Sequence, residues 1–242
     1  METPMVSKQT RPTPKHIGII MDGNQRWARQ KSLPAISGHR AGARNIRRVA
    51  EACAKIGIPC LTLFAFSTEN WRRPPAEVNW LLKLLDNLLQ HDAQELHSNN
   101  IKFVLIGDRG RFSDHLQRRI ADTEELTRHN TRLSLQIAAS YGGRWDIAMA
   151  TRKLVMAAMK GEIDPNEIDE EAIGRFTSLA ELPALDLCIR TGGEQRLSNF
   201  LLWDLAYSEL YFTPTYWPDF DQEDLARALS FFGGRHRRFG RN

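Results

Sequence analysis

Apolar residues in this chain fall into short runs that stop abruptly at polar clusters, and between those runs they recur at helical spacing. The first run, Ile17 to Met21, predicts a strand over 16–21 that opens into the polar turn Asp22-Gly23-Asn24. A short helical piece over 26–30 and a loop containing Pro34 follow. Gly38 to Ile56 reads as a helix, because Ala43, Ile46, Val49, Ala50 and Cys53 return every three or four residues while Arg40, Arg44, Arg47 and Arg48 take other faces. Gly57 stops it. Pro59 to Phe66 is apolar on both faces, the pattern of a strand buried inside a parallel sheet, and it ends at Ser67-Thr68-Glu69-Asn70-Trp71-Arg72-Arg73. Pro74 and Pro75 then open a helix over 75–98. Its apolar side (Val78, Leu81, Leu82, Leu84, Leu85, Leu88, Leu89) is broader than one core-facing stripe. Either a partner subunit covers the edge of that stripe or the face walls an elongated apolar cavity, and periodicity does not separate the two.

The remaining pattern predicts strands over 101–106, 133–139, 185–189 and 209–212 and helices over 114–130, 145–160 and 222–232. Shorter helical pieces end at Phe176 and cover 200–206. Strands that alternate with helices and lack period-two polarity give an α/β fold, a central, mostly parallel six-stranded sheet flanked by helices. No internal repeat or boundary breaks the chain. Residues 1–14, with Pro4, Pro12 and Pro14 among polar side chains, are expected to be a disordered basic tail, and 15–242 a single domain.

Composition narrows the picture modestly. A chain of 242 residues with 42% hydrophobic and 26% charged residues is ordinary for a soluble globular protein, and long enough for a substantial core. The net charge of +4 is mild, although Arg235, Arg237, Arg238 and Arg241 crowd the C-terminus. A nucleic-acid-binding protein is disfavoured by that modest charge and by the apolar helix. Cys53, Cys60 and Cys188 sit singly in apolar contexts, which points to buried thiols in a reducing compartment. With no apolar run near membrane-spanning length and no signal pattern, a cytoplasmic protein is expected.

The chemistry is concentrated at strand ends. Asp22 is the only carboxylate of the first turn, and one carboxylate with substrate phosphate oxygens and waters suits Mg2+. Arg26, Arg190 and Arg196 are fork-shaped donors for a diphosphate. Thr191, Ser198 and Asn199 add neutral donors, and Gly192-Gly193 offers backbone N–H groups as an anion nest. His39 begins a helix, where a donor to anions is expected. Glu209 reads either as a second acidic contact to metal or diphosphate or as an ordinary strand-start residue. No GxxxxGK[ST] and no GxGxxG after the first strand occurs, so neither a nucleoside triphosphatase nor a dinucleotide enzyme is supported.

Five motifs in order carry a family likeness. They are His16-Ile-Gly-Ile-Ile-Met-Asp-Gly-Asn-Gln-Arg-Trp-Ala28, Gly38-His-Arg-Ala-Gly42, Phe64-Ala-Phe-Ser-Thr-Glu-Asn-Trp71, Arg190-Thr-Gly-Gly-Glu-Gln-Arg-Leu-Ser-Asn-Phe200 and Ser208-Glu-Leu-Tyr-Phe212. From His16 to Gly240 the chain resembles the cis-prenyltransferases, in particular bacterial undecaprenyl diphosphate synthases. The resemblance implies a transferase that adds isopentenyl diphosphate units to farnesyl diphosphate with cis double bonds, makes the undecaprenyl lipid precursor of cell-wall synthesis, and works as a Mg2+-dependent homodimer. It implies Asp22 and Asn70 as catalytic residues. Gly23, Asn24, Gln25, Arg26, Trp27 and His39 fall at allylic-substrate positions. Ser67, Thr68, Glu69, Trp71 and Arg73 belong to a mobile segment at the isopentenyl diphosphate, whose phosphates meet Arg190, Arg196 and Ser198. Asp22 and Glu209 are the implied metal residues, with Glu209 acting across the dimer, and Arg238, in the 233–242 segment, reaches the partner subunit's substrate. The helix over 75–98 would wall an elongated apolar tunnel with Leu133 at its floor. The lipid product would bring the protein to the inner face of the membrane. Ala35 departs from the pattern, standing where many members carry an arginine that contacts diphosphate. The rival readings are a related synthase of shorter or longer product and a non-catalytic subunit of the same fold.

Overall fold

The computed structural model describes residues 12–235. Every residue of β1 (His16–Ile20) is buried, as expected of a strand covered by helices on both faces. β1 pairs in parallel with β2 (Cys60–Ser67) on one side and β5 (Leu187–Arg190) on the other. β4 (Leu133–Tyr141) and β3 (Ile101–Ile106) extend the sheet beyond β2, and β6 (Glu209–Phe212) extends it beyond β5. The order is β3-β4-β2-β1-β5-β6, and every pairing is parallel. The chain therefore winds outward from β1 in both directions. The crevice at the C-terminal ends of β1, β2 and β5 is the switch point at which open α/β sheets bind ligands.

Among the described residues seven α-helices flank the sheet: α1 (Asn24–Gln30), α2 (Ala35–Lys55), α3 (Pro75–Ser98), α4 (Asp114–Thr127), α5 (Gly143–Met159), α6 (Glu170–Gly174) and α7 (Gln222–Gly233). The larger core layer joins Ile17, Ile19, Leu61, Leu63, Leu135 and Ile137 to α2, α3, α4 and α7. The smaller one joins Ile20, Ala138, Tyr141, Leu185 and Phe200 on the opposite face. α2 starts three residues before the expected Gly38, because Pro34 sits just outside the first turn, where its missing N–H costs nothing. α4 ends at Thr127 instead of Asn130, and the helix expected over 200–206 is a 3-10 turn at Asp204–Tyr207. Pro12 to Pro14 have no regular structure and Pro14 is buried; residues 1–11 of the expected tail lie outside the described residues.

At the start of β1 the imidazole of His16 is fully buried between the Pro183 carbonyl (Nδ1, 2.9 Å) and the Thr62 hydroxyl (Nε2, 2.8 Å). The carbonyl can only accept, so Nδ1 donates and a neutral ring takes the Thr62 proton at Nε2. Burial holds its pKa below 6.5, outweighing the Pro183 hydrogen bond and the charge of Asp186. Folding thus excludes a proton that the unfolded chain binds, so this stability is complete above the unfolded value and is lost as pH falls through the lower folded one. Denaturant midpoints should drop as pH falls through and below the ordinary histidine value of about 6.5, and His16→Gln should flatten the slope. Equal slopes in both proteins would refute this role.

Candidate active site at the strand ends

The first turn is built around Gly23, whose φ of +102° lets the chain leave β1 and enter α1 directly. A side chain there would also strike Tyr216, whose ring would lie 2.5 Å from the added Cβ. The Asp22 backbone N–H donates to the Thr191 hydroxyl at 2.9 Å, and its carbonyl accepts from the Trp217 N–H at 3.0 Å. Two guanidiniums meet the fixed carboxylate: Arg190 Nη2 lies 2.9 Å from Oδ2 and Arg26 Nη2 3.0 Å from Oδ1. Partial burial alone would raise the Asp22 pKa. The Arg190 hydrogen bond and the charges of Arg26 and Arg190 outweigh it and hold the carboxyl below its ordinary value, ionised across the neutral range.

Arg190 ends β5 and is only 4% exposed. Its Nη1 donates to Ser198 Oγ at 2.8 Å and to the Arg196 carbonyl, while Nε has no partner. Ser198 reaches it through a strained loop in which Ser198, Asn199 and Leu201 have φ of +50°, +65° and +39°. Arg26 also donates to the Gly192 carbonyl at 2.8 Å and shares Glu194 with the exposed Arg196. Gly192-Gly193 is not an anion nest: its N–H groups donate to the carbonyls of Thr215 and Thr213 and continue the pairing beyond β5 and β6.

These groups border a cleft of about 570 Å3 that brings together Asp22, Gly23, Asn24, Gln25, Arg26, His39, Ser67, Asn70, Arg73, Arg190, Arg196 and Ser198. Four arginines against two carboxylates, Asp22 and Glu77, leave the lining cationic, as a diphosphate requires. His39 sits with its ring 5.9 Å from that of Trp80, and its buried Nε2 has no partner. Burial, with the nearby charge of Arg73, holds it below 6.5 against the pull of Glu77, so it faces the cleft as a neutral group. The Asn24 side-chain oxygen is likewise buried and unpartnered. Ser67 and Asn70 form a capping box, in which Asn70 Oδ1 accepts the Ser67 N–H at 2.9 Å.

Other expected site residues lie apart. Trp71 turns away from the cleft: its indole donates to Ser140 Oγ at 2.9 Å and packs on Phe66 and Phe112. Thr68, Glu69 and Trp27 do not line the cleft either, and Glu69 instead accepts from Asn199 Nδ2 at 2.8 Å. Glu209 begins β6, three residues before Phe212, which pairs with Arg190, and is therefore on the order of 10 Å from that strand end. It faces Arg235 at 3.6 Å, so one chain does not bring Glu209 to Asp22. No cluster of three metal-ligating side chains occurs among the described residues. Arg238 lies outside them. Leu133 is fully buried at the first position of β4, on the strand face shared by Leu135 and Ile137.

Sequence reading missed Glu77, which accepts from Arg73 at 2.9 Å and Gln25 at 3.1 Å, and the pair Tyr216-Trp217. The Arg26 guanidinium lies 5.6 Å from the Tyr216 ring centre, and Trp217 donates from its indole to the Gly42 carbonyl at 2.8 Å. Glu77 at the first turn of α3 was the readable signal; the aromatic pair sits in a loop with no periodicity. Behind the cleft, an apolar cavity of about 80 Å3 runs between α2 and α3, lined by Ile46, Leu81, Leu85, Ile137 and Trp217 among others.

A family model described as "Putative undecaprenyl diphosphate synthase" matches residues 20–240. The chain belongs to the undecaprenyl diphosphate synthase family. It is 49% identical over 227 residues to a (2E,6E)-farnesyl-diphosphate-specific ditrans,polycis-undecaprenyl-diphosphate synthase of Vibrio parahaemolyticus, covering 94% of this chain and 90% of that one. A Pseudomonas putida protein of the same name is 50% identical, with 94% and 91% covered. The six-stranded parallel sheet is that of the family. The chain superposes with a TM-score of 0.91 on lavandulyl diphosphate synthase from Lavandula x intermedia, solved in complex with dimethylallyl diphosphate, at 38% identity over 94% of this chain and 98% of that one.

Proposed function

We propose that the chain is a farnesyl-diphosphate-specific ditrans,polycis-undecaprenyl-diphosphate synthase, a Mg2+-dependent prenyltransferase supplying the lipid carrier of cell-wall synthesis. The observation that carries this is the ionised Asp22 held between Arg190 and Arg26 at the mouth of an apolar cavity. Relatives about half identical over nearly the whole chain bear that name.

The allylic diphosphate lies against Gly23, Asn24, Arg26 and His39, and the isopentenyl diphosphate against Arg190, Arg196 and Ser198. The subsites meet at Asp22. Breaking the allylic C–O bond sends its electron pair to the departing diphosphate, where the arginines stabilise the growing charge. The isopentenyl alkene attacks the resulting carbocation, and loss of a proton from its C2 leaves the new double bond. The released diphosphate or the Ser67–Asn70 pair takes that proton. Asp22 fits Mg2+, because one partly exposed carboxylate suits an ion held otherwise by phosphate oxygens and water. When bound, the ion adds positive charge at the leaving group.

The growing hydrocarbon runs along the cavity between α2 and α3. Its about 80 Å3 is far too small for an undecaprenyl chain, so the helices part as it lengthens. Glu209, in the edge strand β6 beside the exposed Tyr207 and Leu210, acts across a homodimer. Among the described residues no helix is long and apolar enough to cross a membrane; the lipid product draws the protein to the inner face instead.

Incubation with farnesyl and isopentenyl diphosphates and Mg2+, with and without chelator, tests the reading. Undecaprenyl diphosphate as the dominant, chelator-sensitive product is expected. A short product, or none, would overturn it. The second reading, a synthase of different chain length, is favoured by the lavandulyl enzyme, whose shared fold accompanies another product name. Leu133→Ala bears on length: it should cost about 2–5 kcal/mol and lengthen the products, by opening room beside Leu135, which walls a further space of about 20 Å3 past the inner end of the cavity. An unchanged chromatographic distribution would remove Leu133 from the floor.

A further inference from the structure

The inner end of the apolar cavity is closed by charge as well as by packing. The cleft and the cavity share Met21, His39, Phe66 and Leu81, and the cavity in turn shares Ile46, Leu88 and Ile137 with a last space of about 20 Å3. Leu96, Ile101, Phe103 and Leu135 wall that space, and Arg47, Glu51, Asp92 and Glu95 rim it. Arg47, on α2, hydrogen-bonds through Nη1 to Glu95 on α3 and through Nε to Glu51 on its own helix at 3.2 Å. Among the described residues this is the one ion pair that ties α2 to α3.

We propose that the Arg47–Glu95 pair is a gate at the end of the channel, and that these residues set how far the chain advances and hence product length. The proposal rests on reading the cavity as the hydrocarbon channel. An isoprene tail offers a guanidinium no acceptor, so passing beneath the pair separates the charges and leaves them only water on their outer side to replace the lost hydrogen bond. The two side chains are 49% and 35% exposed, and so open a pair contributes little to stability. It therefore yields more easily than packed leucines would. Three carboxylates, Glu51, Asp92 and Glu95, surround the single guanidinium, so losing Arg47 leaves like charges that push the rim apart.

Arg47→Ala and Glu95→Ala should each shift the products upward by one or more isoprene units while changing the rate of the first condensation by less than about twofold. The exchanged variant Arg47→Glu/Glu95→Arg should return the distribution toward that of the original chain, which a merely structural role would not produce. Leu85→Trp, which fills the channel above the gate, should shorten products. If Leu85→Trp shortens them and both single variants leave the distribution unchanged, the gate is wrong and the channel stands. If Leu85→Trp has no effect, the channel reading fails and takes the gate with it.

Discussion

Asp22→Ala is expected to lower turnover by about 10^3-fold or more, because it removes the carboxylate at the point where the two diphosphates are proposed to meet. The same change leaves Arg190 4% exposed with its charge unpaired and its Nε already without a partner, so stability should fall by about 1–3 kcal/mol. Asp22→Asn separates the two effects. The amide retains an acceptor for Arg190 and should recover most of the stability, yet it carries no negative charge. Single-turnover rates should therefore stay near those of Asp22→Ala. An Asp22→Asn enzyme that kept more than about a tenth of the original rate would show that the carboxylate is a scaffold for Arg190 and no more.

Gly38→Ala should be among the most damaging single-methyl changes outside the cleft lining. The added Cβ would lie 1.9 Å from the Asn24 carbonyl oxygen and 2.7 Å from its carbon. Both are backbone atoms, so no side chain can swing aside, and α1 must move off α2 with Asn24 and Arg26. Overpacking of this kind costs about 1–3 kcal/mol, here at the upper end. A displacement of about 1 Å at groups that position a substrate, the role proposed for Asn24 and Arg26, can lower turnover about 100-fold. Gly57→Ala is the control. At Gly57 nothing lies within 4 Å of the new Cβ, but φ is +80°, so stability should fall by about 1–2 kcal/mol with KM for the allylic substrate unchanged. A Gly38→Ala enzyme with unaltered KM would show that this crossing does not position the allylic site.

Much of the candidate site was legible because its residues sit where apolar runs end, and run ends are local features. Asp22, Arg190, Ser67 and Asn70 were all found that way, and the structure gathers them around one cleft. Local reading failed where a group's partner was remote. Gly192 and Gly193 looked like free donors, but Thr213 and Thr215 accept their N–H groups. Trp71, which the resemblance puts in the segment at the isopentenyl diphosphate, donates to Ser140 near the end of β4 and packs on Phe112 beyond β3.

By itself the sequence determined the strands, the main helices and the α/β class, since hydrophobic periodicity records which side of each element is buried. It also carried the family, through long motifs in order. The tertiary structure alone decided which strand ends meet. Asp22 and Arg190 are 168 residues apart and are joined only because β5 docks beside β1, while β6, next in line, leaves Glu209 at the opposite end of the sheet. Strand order and register arise from packing both faces of the sheet at once, a condition that no single segment encodes. For the same reason, the breadth of the apolar face on α3 could be read from its leucines, but the cavity behind it became visible only once α2 lay across.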